Sequence, residues 1–232
     1  MPCDNCNCPF YALQAENGPL SAAEIQCVVS DAVEQVEFRE GEVLFERGQP
    51  SSSLYFLNSG TVKICCHISD GGEQIVGLSS PENLLVGLES LNEEHYAYSA
   101  IAATTVCACK INHGVLFDLV HDRGDVALRL IGAVNAQLVH SRALMHVLGL
   151  TYAAAKIASF ILLVTPKAQH GNCRFALPFS CMDIANILGL SEETVCRLMA
   201  NMKRTGVIYA PRGNIEIRDW GQLRAIAAGA TS

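Results

Sequence analysis

The segment DIANILGLSEETVCRL, residues 183–198, constrains this chain more than any other stretch, because it suits one compact arrangement of two short crossed helices. A helix-turn-helix needs a small residue where the helices touch, and Ala185 fits that place. Its turn needs a residue content with positive φ, which Gly189 supplies. Ser191 is placed to cap the second helix, and Ile184, Leu188, Leu190, Val195 and Leu198 are expected to form the apolar interior. The exposed face of the second helix is then expected to present Glu193, Thr194, Cys196 and Arg197. A glutamate accepts from cytosine N4 and an arginine grips guanine O6 and N7, so this pair, one turn apart, suits adjacent base pairs in a major groove. Lys203, Arg204, Arg212 and Arg218 follow as candidate phosphate contacts. The plainer reading is a helical hairpin with a solvated polar face, but turn, caps, interior and polar face agree better on reading double-stranded DNA.

Downstream, Ile208-Tyr209 and Ile215-Glu216-Ile217 flank a Gly213-Asn214 turn, which predicts a hairpin and hence a winged helix. Charge supports the same assignment. Residues 1–150 carry seven Lys and Arg against eighteen Asp and Glu, a net of −11, whereas residues 151–232 carry nine against five, a net of +4. An acidic front with a basic tail leaves the tail to approach a polyanion.

The front half reads differently. Short β-like runs at Val36–Phe38, Val43–Phe45, Leu54–Leu57, Val62–Ile68, Gln74–Leu78 and Ala97–Ile111 are separated by Arg39-Glu40-Gly41, Gly48-Gln49-Pro50, Asn58-Ser59-Gly60 and Asp70-Gly71-Gly72, a pattern of barrels and sandwiches. Residues 1–20 read as an irregular arm, and Ser21-Ala22-Ala23-Glu24 has the capping-box form that starts a short helix. Residues 125–149 read as a long helix on which Ile131, Val134, Leu138, Ser141, Met145 and Leu148 step by three and four, the seam of a helix-to-helix interface. Leu128, Leu130 and Leu144 lie off that seam and are expected to serve contacts within the chain, leaving the seam for a second subunit. A second helix spans Ala153–Val164. Half the residues are hydrophobic, yet no uncharged run reaches the roughly 18 to 20 residues of a membrane span, and the start lacks the pattern of a secretory signal. Eleven cysteines without an export signal place the chain in a reducing cytoplasm, where thiols serve metals or redox chemistry more often than disulfides.

With barrel, long helix and winged helix-turn-helix in that order, and Glu193-x-x-Cys196-Arg197 on the second helix of the motif, residues 20–220 resemble the Crp/Fnr superfamily of bacterial transcription regulators. The resemblance implies an α+β chain: a jelly-roll β-barrel of the cyclic-nucleotide-binding kind, a long dimerisation helix and a C-terminal winged helix-turn-helix. It divides the chain into an arm at 1–20, a sensor barrel at 21–124, a helix at 125–150 and a DNA-binding domain at 151–232. It also implies a homodimer on an inverted-repeat site and contacts with RNA polymerase. Members of the Fnr type carry Ser where this chain has Cys196, so the outer bases of each half-site stay open.

For the signal, the cAMP-binding branch has a Gly-Glu pair for the ribose and an Arg-Ser pair for the phosphate. The matching stretches here are Gly87-Leu88-Glu89-Ser90 and Tyr98-Ser99-Ala100, without the basic residue, so no cAMP is expected. The arm offers Cys3-x-x-Cys6-x-Cys8-Pro9, which resembles the cysteine-rich arm of Fnr-type oxygen sensors. Those hold a [4Fe–4S] cluster through three arm cysteines and one in the barrel. The resemblance therefore assigns Cys3, Cys6, Cys8 and Cys109 as ligands, with Cys107, on the same strand face, as rival to Cys109. The family usually spaces the last two arm ligands by about five residues, whereas here Asn7 alone separates Cys6 from Cys8. A structural zinc site, a reversible thiol pair and a metal-free arm remain open, as does haem bound through His67, His95 or His113. Cys27, Cys65, Cys66, Cys173 and Cys181 fall on apolar-rich elements and are expected to be small buried hydrophobes.

An enzyme is the competing class. The chain has no Gly-x-Ser-x-Gly elbow, P-loop lysine, His-Glu-x-x-His or dinucleotide glycine fingerprint. A cupin-like metalloenzyme would want a His-x-His pair, whereas His67, His95 and His113 are single and scattered.

Overall fold

The computed structural model describes residues 33–67, 73–81, 85–122, 124–166, 173–211 and 214–229. The chain divides into two compact units, residues 1–72 with 76–139, and residues 73–75 with 140–232. The arm with Cys3, Cys6 and Cys8, the helix expected from Ser21, Cys27, the Asp70-Gly71-Gly72 turn and Arg212 lie outside the described residues.

Eight strands follow one another in the first part: β1 (Val33–Phe38), β2 (Val43–Phe45), β3 (Ser53–Ser59), β4 (Val62–His67), β5 (Glu73–Ser79), β6 (Leu85–Val86), β7 (Ser99–Ala102) and β8 (Val106–Asn112). They form two four-stranded sheets, in the orders β1-β8-β3-β6 and β2-β7-β4-β5, the double Greek key of a jelly roll. Alternation along β3 explains the packing. Tyr55 and Leu57 point into a core with Leu44, Phe45, Val62, Val86, Tyr96, Ala100, Ala102, Val106 and Ala108. Leu54 and Phe56 face the other way and join Cys109, Ile111 and Leu116 in a second cluster. With both faces covered, β3 reads as a continuous apolar run and not as an alternating one.

The expected run Ala97–Ile111 is two strands, paired into different sheets. No Gly or Pro marks the break. The Thr104 hydroxyl accepts the Thr61 N–H at 3.0 Å, and a β-branched residue does a turn residue's work. Helix α1 (His113–Asp122) also escaped the sequence reading, although Asn112 caps it by accepting the Gly114 N–H at 2.8 Å. Helix α2 (Gly124–Gly149) follows and matches the expected long helix.

In the second unit, α3 (Ala153–Val164) buries Ala155, Ile157, Ala158, Phe160 and Ile161, and its bounds are those expected. Then come β9 (Cys173–Ala176), α4 (Cys181–Leu188), α5 (Glu192–Arg204), β10 (Ile208–Tyr209), β11 (Asn214–Ile217) and α6 (Trp220–Ala227). The expected hairpin is present as β10 and β11, and β9 adds a third strand on the far side of β11. Among the described residues, no helix is long and apolar enough to cross a membrane.

Candidate nucleic-acid interface and thiol sites

Helix α4 starts with a capping box that the sequence reading missed. The Ser180 hydroxyl accepts the Asp183 N–H at 3.0 Å, and the Asp183 carboxylate accepts the Ser180 N–H at 2.9 Å. The helix ends at Gly189, whose φ of 63° and ψ of 43° are left-handed, and the next N–H, of Leu190, reaches back to the Ala185 carbonyl at 3.0 Å. Lys156 of α3 adds its ammonium to the Leu188 carbonyl at 3.4 Å, where the helix dipole favours a cation. Ser191 caps α5 as expected, accepting the Thr194 N–H at 3.3 Å. Ile184, Ala185, Leu188 and Val195 are buried between the helices, but Leu190 and Leu198 are half-buried. Ile187, Met199 and Met202 take the share expected of them, because α5 turns its 195-199-202 stripe inward.

Outward, α5 exposes Glu193, Cys196, Arg197, Lys203 and Arg204. Thr194 departs from expectation: it is half-buried, and its hydroxyl lies 2.8 Å from that of Ser191, so it serves the cap. Arg204 is steadied by the Asn201 side-chain carbonyl at 2.7 Å. Arg218, expected as a phosphate contact, is exposed and has neighbours of its own. Its guanidinium meets the Glu216 carboxylate at 3.3 Å and lies 4.4 Å from the Tyr209 ring centroid, a pairing between neighbouring strands that the sequence did not announce.

Of the expected cluster ligands, Cys109 and Cys107 can be placed. Cys109 is 2% exposed, packed in the cluster of Leu54, Phe56, Ile111 and Leu116, and its sulfur accepts from the Asn58 amide at 3.3 Å. Cys107 is half-buried on the same face of β8, with Glu37 opposite in the register and the Gln35 amide 3.8 Å from its sulfur. As a donor, a buried thiol with an amide N–H against it in apolar surroundings suits a cluster ligand, since a thiolate there needs a bound cation to offset its charge. Among the described residues, no three Cys, His, Asp or Glu side chains are grouped to hold a metal ion. His95 is exposed, and burial lowers the pKa of His113 at the start of α1.

Where the family's phosphate pocket would lie, the Ser99 hydroxyl is buried and accepts the Arg47 N–H at 3.0 Å. Gly87, with a φ of 84°, sits against Tyr96 and Phe45, whose rings stack at 3.8 Å. Burial pushes the Tyr55 hydroxyl of the same core up to about 12, so it stays a donor.

Cys65 is fully buried as expected, and Cys66 is half-buried. Cys181 is a correction. It is half-buried at the first turn of α4, and burial, with the Cys196 thiol acting in the same direction, pushes its own thiol up to about 11.

Along α2, Ile131 (63%), Val134, Leu138, Met145 (67%) and Leu148 are exposed, with Ser141 half-buried among them. Leu130 and Ala133 pack on the outer sheet cluster, and Leu144 and Val147 are buried. Leu128 does not serve the chain's own contacts as expected. It is 71% exposed, because two positions before Leu130 is about 200° around a helix, and one turn before Ile131 it extends the open stripe.

Residues 35–123 match the family model of the cyclic nucleotide-binding domain, and residues 155–226 match that of the Crp-like helix-turn-helix domain. Over 194 residues the chain is 30% identical to the transcriptional activator protein anr of Pseudomonas aeruginosa, spanning 82% of this chain and 79% of that protein. It is 30% identical over 200 residues to the nitrogen fixation regulation protein FixK of Bradyrhizobium diazoefficiens, at 84% and 82% coverage. It is 29% identical over 192 residues to the fumarate and nitrate reduction regulatory protein of Salmonella typhi, at 82% and 76%. In fold it is similar to FixK2 from Bradyrhizobium japonicum, with a TM-score of 0.74 at 24% identity over 86% of this chain and 99% of that one. Jelly roll, long helix and capped helix-turn-helix thus agree with sequence identity that spans both domains, and the chain belongs to the Crp/Fnr family of transcription regulators.

Proposed function

We propose that this regulator binds an inverted-repeat DNA site as a homodimer and responds to O₂ or redox state through a cysteine-ligated [4Fe–4S] cluster. The observation that carries the DNA reading is α5, capped at Ser191 behind the left-handed Gly189, with Glu193, Cys196 and Arg197 on one exposed face. Glu193 and Arg197 take base edges, and Lys203, Arg204 and Arg212 take phosphates. The exposed stripe of α2 from Ile131 to Leu148 is the subunit seam, which sets two reading helices on two half-sites. The working division is an arm at 1–20, a sensor at 21–124, a helix at 125–150 and a DNA-binding domain at 151–232, working in the cytoplasm with RNA polymerase as a further partner.

Cys3, Cys6, Cys8 and Cys109 are the residues that would hold the cluster, and Asn58 would orient the Cys109 sulfur. When bound, the group supplies reactivity toward O₂. The barrel's missing phosphate partner and its aromatic core support a regulator that does not take a cyclic nucleotide.

The test is to purify the protein without O₂, record its visible absorption, and titrate a duplex carrying an inverted repeat before and after exposure to air. The expected result is a brown protein whose affinity falls with its colour and declines steeply with salt. A colourless protein with air-independent affinity would remove the cluster. A flat salt dependence with no preference for the inverted repeat would remove the DNA reading.

A further inference from the structure

We propose that Asn58 is a positioning residue whose side-chain amide sets how long the cluster is kept on Cys109 and how readily it is reduced, and hence the threshold at which the regulator answers its signal. The inference rests on the cluster reading above and adds to it the residue that governs the response. In the register of β3 with β8, Leu57 faces Ala108 and Ser59 faces Cys107, so Asn58 is the extra residue of a β-bulge. A bulge releases its residue from the ladder and re-aims the side chain. Phe56, two positions earlier, is the register partner of Cys109 and packs with it on the outer face, so Asn58 reaches the same sulfur diagonally.

The two ends of this amide are treated differently. Its N–H donates to the Cys109 sulfur at 3.3 Å, whereas Oδ1 is buried and has no hydrogen-bond partner among the described residues. A buried acceptor is rarely left so, and here it lies beside the sulfur that would hold the cluster. The orientation is informative as well. A thiol can give its S–H to an amide oxygen, but a metal-bound thiolate has no proton to give and is served only by a donor, which is the end that Asn58 turns toward it. Gln35 offers the same chemistry to Cys107 at 3.8 Å, but Gln35 is exposed and water competes for its N–H. An N–H dipole aimed at a ligand sulfur fixes that sulfur's orientation and draws negative charge off it, which favours the reduced, more negative form of the group. Asn58 makes and breaks no bond in doing this.

The test compares full-length wild type with Asn58→Leu, Asn58→Ser and Gln35→Leu. Leucine keeps the volume and removes both polar ends, and serine restores a donor. Each protein is reconstituted with iron and sulfide without O₂ and checked for folding by circular dichroism. Its iron loss to excess EDTA is then followed anaerobically, and its midpoint reduction potential is recorded. Asn58→Leu should load fully, lose iron about tenfold faster than wild type and show a lower potential. Asn58→Ser should fall between the two, and Gln35→Leu should match wild type. A wholly structural role for Asn58 would lower the melting temperature and leave the potential where it was, which overturns the proposal. So does a Gln35→Leu as impaired as Asn58→Leu, an Asn58→Ser no better than Asn58→Leu, or a folded Asn58→Leu that takes up no iron, since a positioning residue changes the hold and not the assembly. Loaded wild type and Asn58 variants with equal loss rates and potentials remove the role of Asn58 and leave the cluster standing. A wild type that takes up no iron removes the cluster reading and this proposal with it.

Discussion

Two left-handed glycines, one in each unit, should respond to the same substitution very differently. Gly189, at the helix-turn-helix bend, has a φ of 63° and open space where a Cβ would stand. Alanine there meets the left-handed penalty alone, about 1–2 kcal/mol, offset by about 0.4–1 kcal/mol from a stiffer unfolded chain. The net loss should be about 1 kcal/mol. Gly60, between β3 and β4, has a φ of 87°, and a Cβ there would press on the Thr105 carbonyl oxygen and lie 2.8 Å from Val106 Cα and 2.9 Å from Val106 Cγ2. Backbone cannot yield as a side-chain tip does, so overpacking of about 1–3 kcal/mol adds to the conformational cost. Gly60→Ala should therefore lose about 2–4 kcal/mol. Trp220, the chain's one tryptophan, sits on α6 and gives a fluorescence report of the second unit, while circular dichroism follows the barrel. Urea melts of the two variants should separate, with Gly60→Ala unfolding at clearly lower denaturant. Gly189→Asn should recover most of the loss, since asparagine tolerates the left-handed region. Equal shifts for the two alanines would refute the claim that crowding by β8 dictates glycine at position 60.

Other perturbations test the site. Arg197→Ala should cost about 1–3 kcal/mol of binding and relax preference at one base pair, while Lys203→Ala should weaken all duplexes alike and reduce the salt slope by about one, both read by titration across salt. Ile131→Glu with Met145→Glu should leave a folded monomer by sedimentation, since two buried carboxylates would face their own copies across the seam; a persistent dimer would move the interface elsewhere. Cys109→Ala, Cys3→Ala and Cys6→Ala should each abolish iron and sulfide uptake in anaerobic reconstitution, whereas Cys107→Ala should retain it. His113 gives a pH signature. Its folded pKa is lowered by burial, so the folded state holds fewer protons than the unfolded one as pH falls through the ordinary value near 6.5. Stability present above that value is lost in acid, and His113→Gln should flatten the melting temperature between about pH 5 and 7.

What could be read from the chain followed the physics of local signals. Gly189, Ser191 and Ala185 act within a few residues of themselves, so the bend, the cap and the close contact of α4 with α5 were legible. So were the bounds of α3, where a compact apolar run ends before Pro166. What escaped depends on distant partners. The break between β7 and β8 rests on Thr104 meeting Thr61 some forty residues earlier, and β6 is two residues that pair with β3. The contact of Arg218 with the Tyr209 ring spans the hairpin, and nothing in the residues that flank Arg218 announces it.

The cysteines show the same limit most sharply, because a thiol's role is set by what surrounds it and sequence spacing says little of that. Cys107 and Cys109 are equivalent by alternation, both on the outer face of β8, and each sulfur has a side-chain amide against it, yet Cys109 is buried with Gln35 and Phe56 across from it in the register, whereas Cys107 is half-buried with Glu37 and Ser59 across from it. A dry apolar cluster rewards a thiolate that has a cation to hold, so burial, and not the amide donor, separates the two. Cys181, expected to be an apolar filler, stands half-buried at the first turn of α4, and Cys196, expected at a base edge, is exposed on α5, so the two helices of one motif give their thiols opposite surroundings.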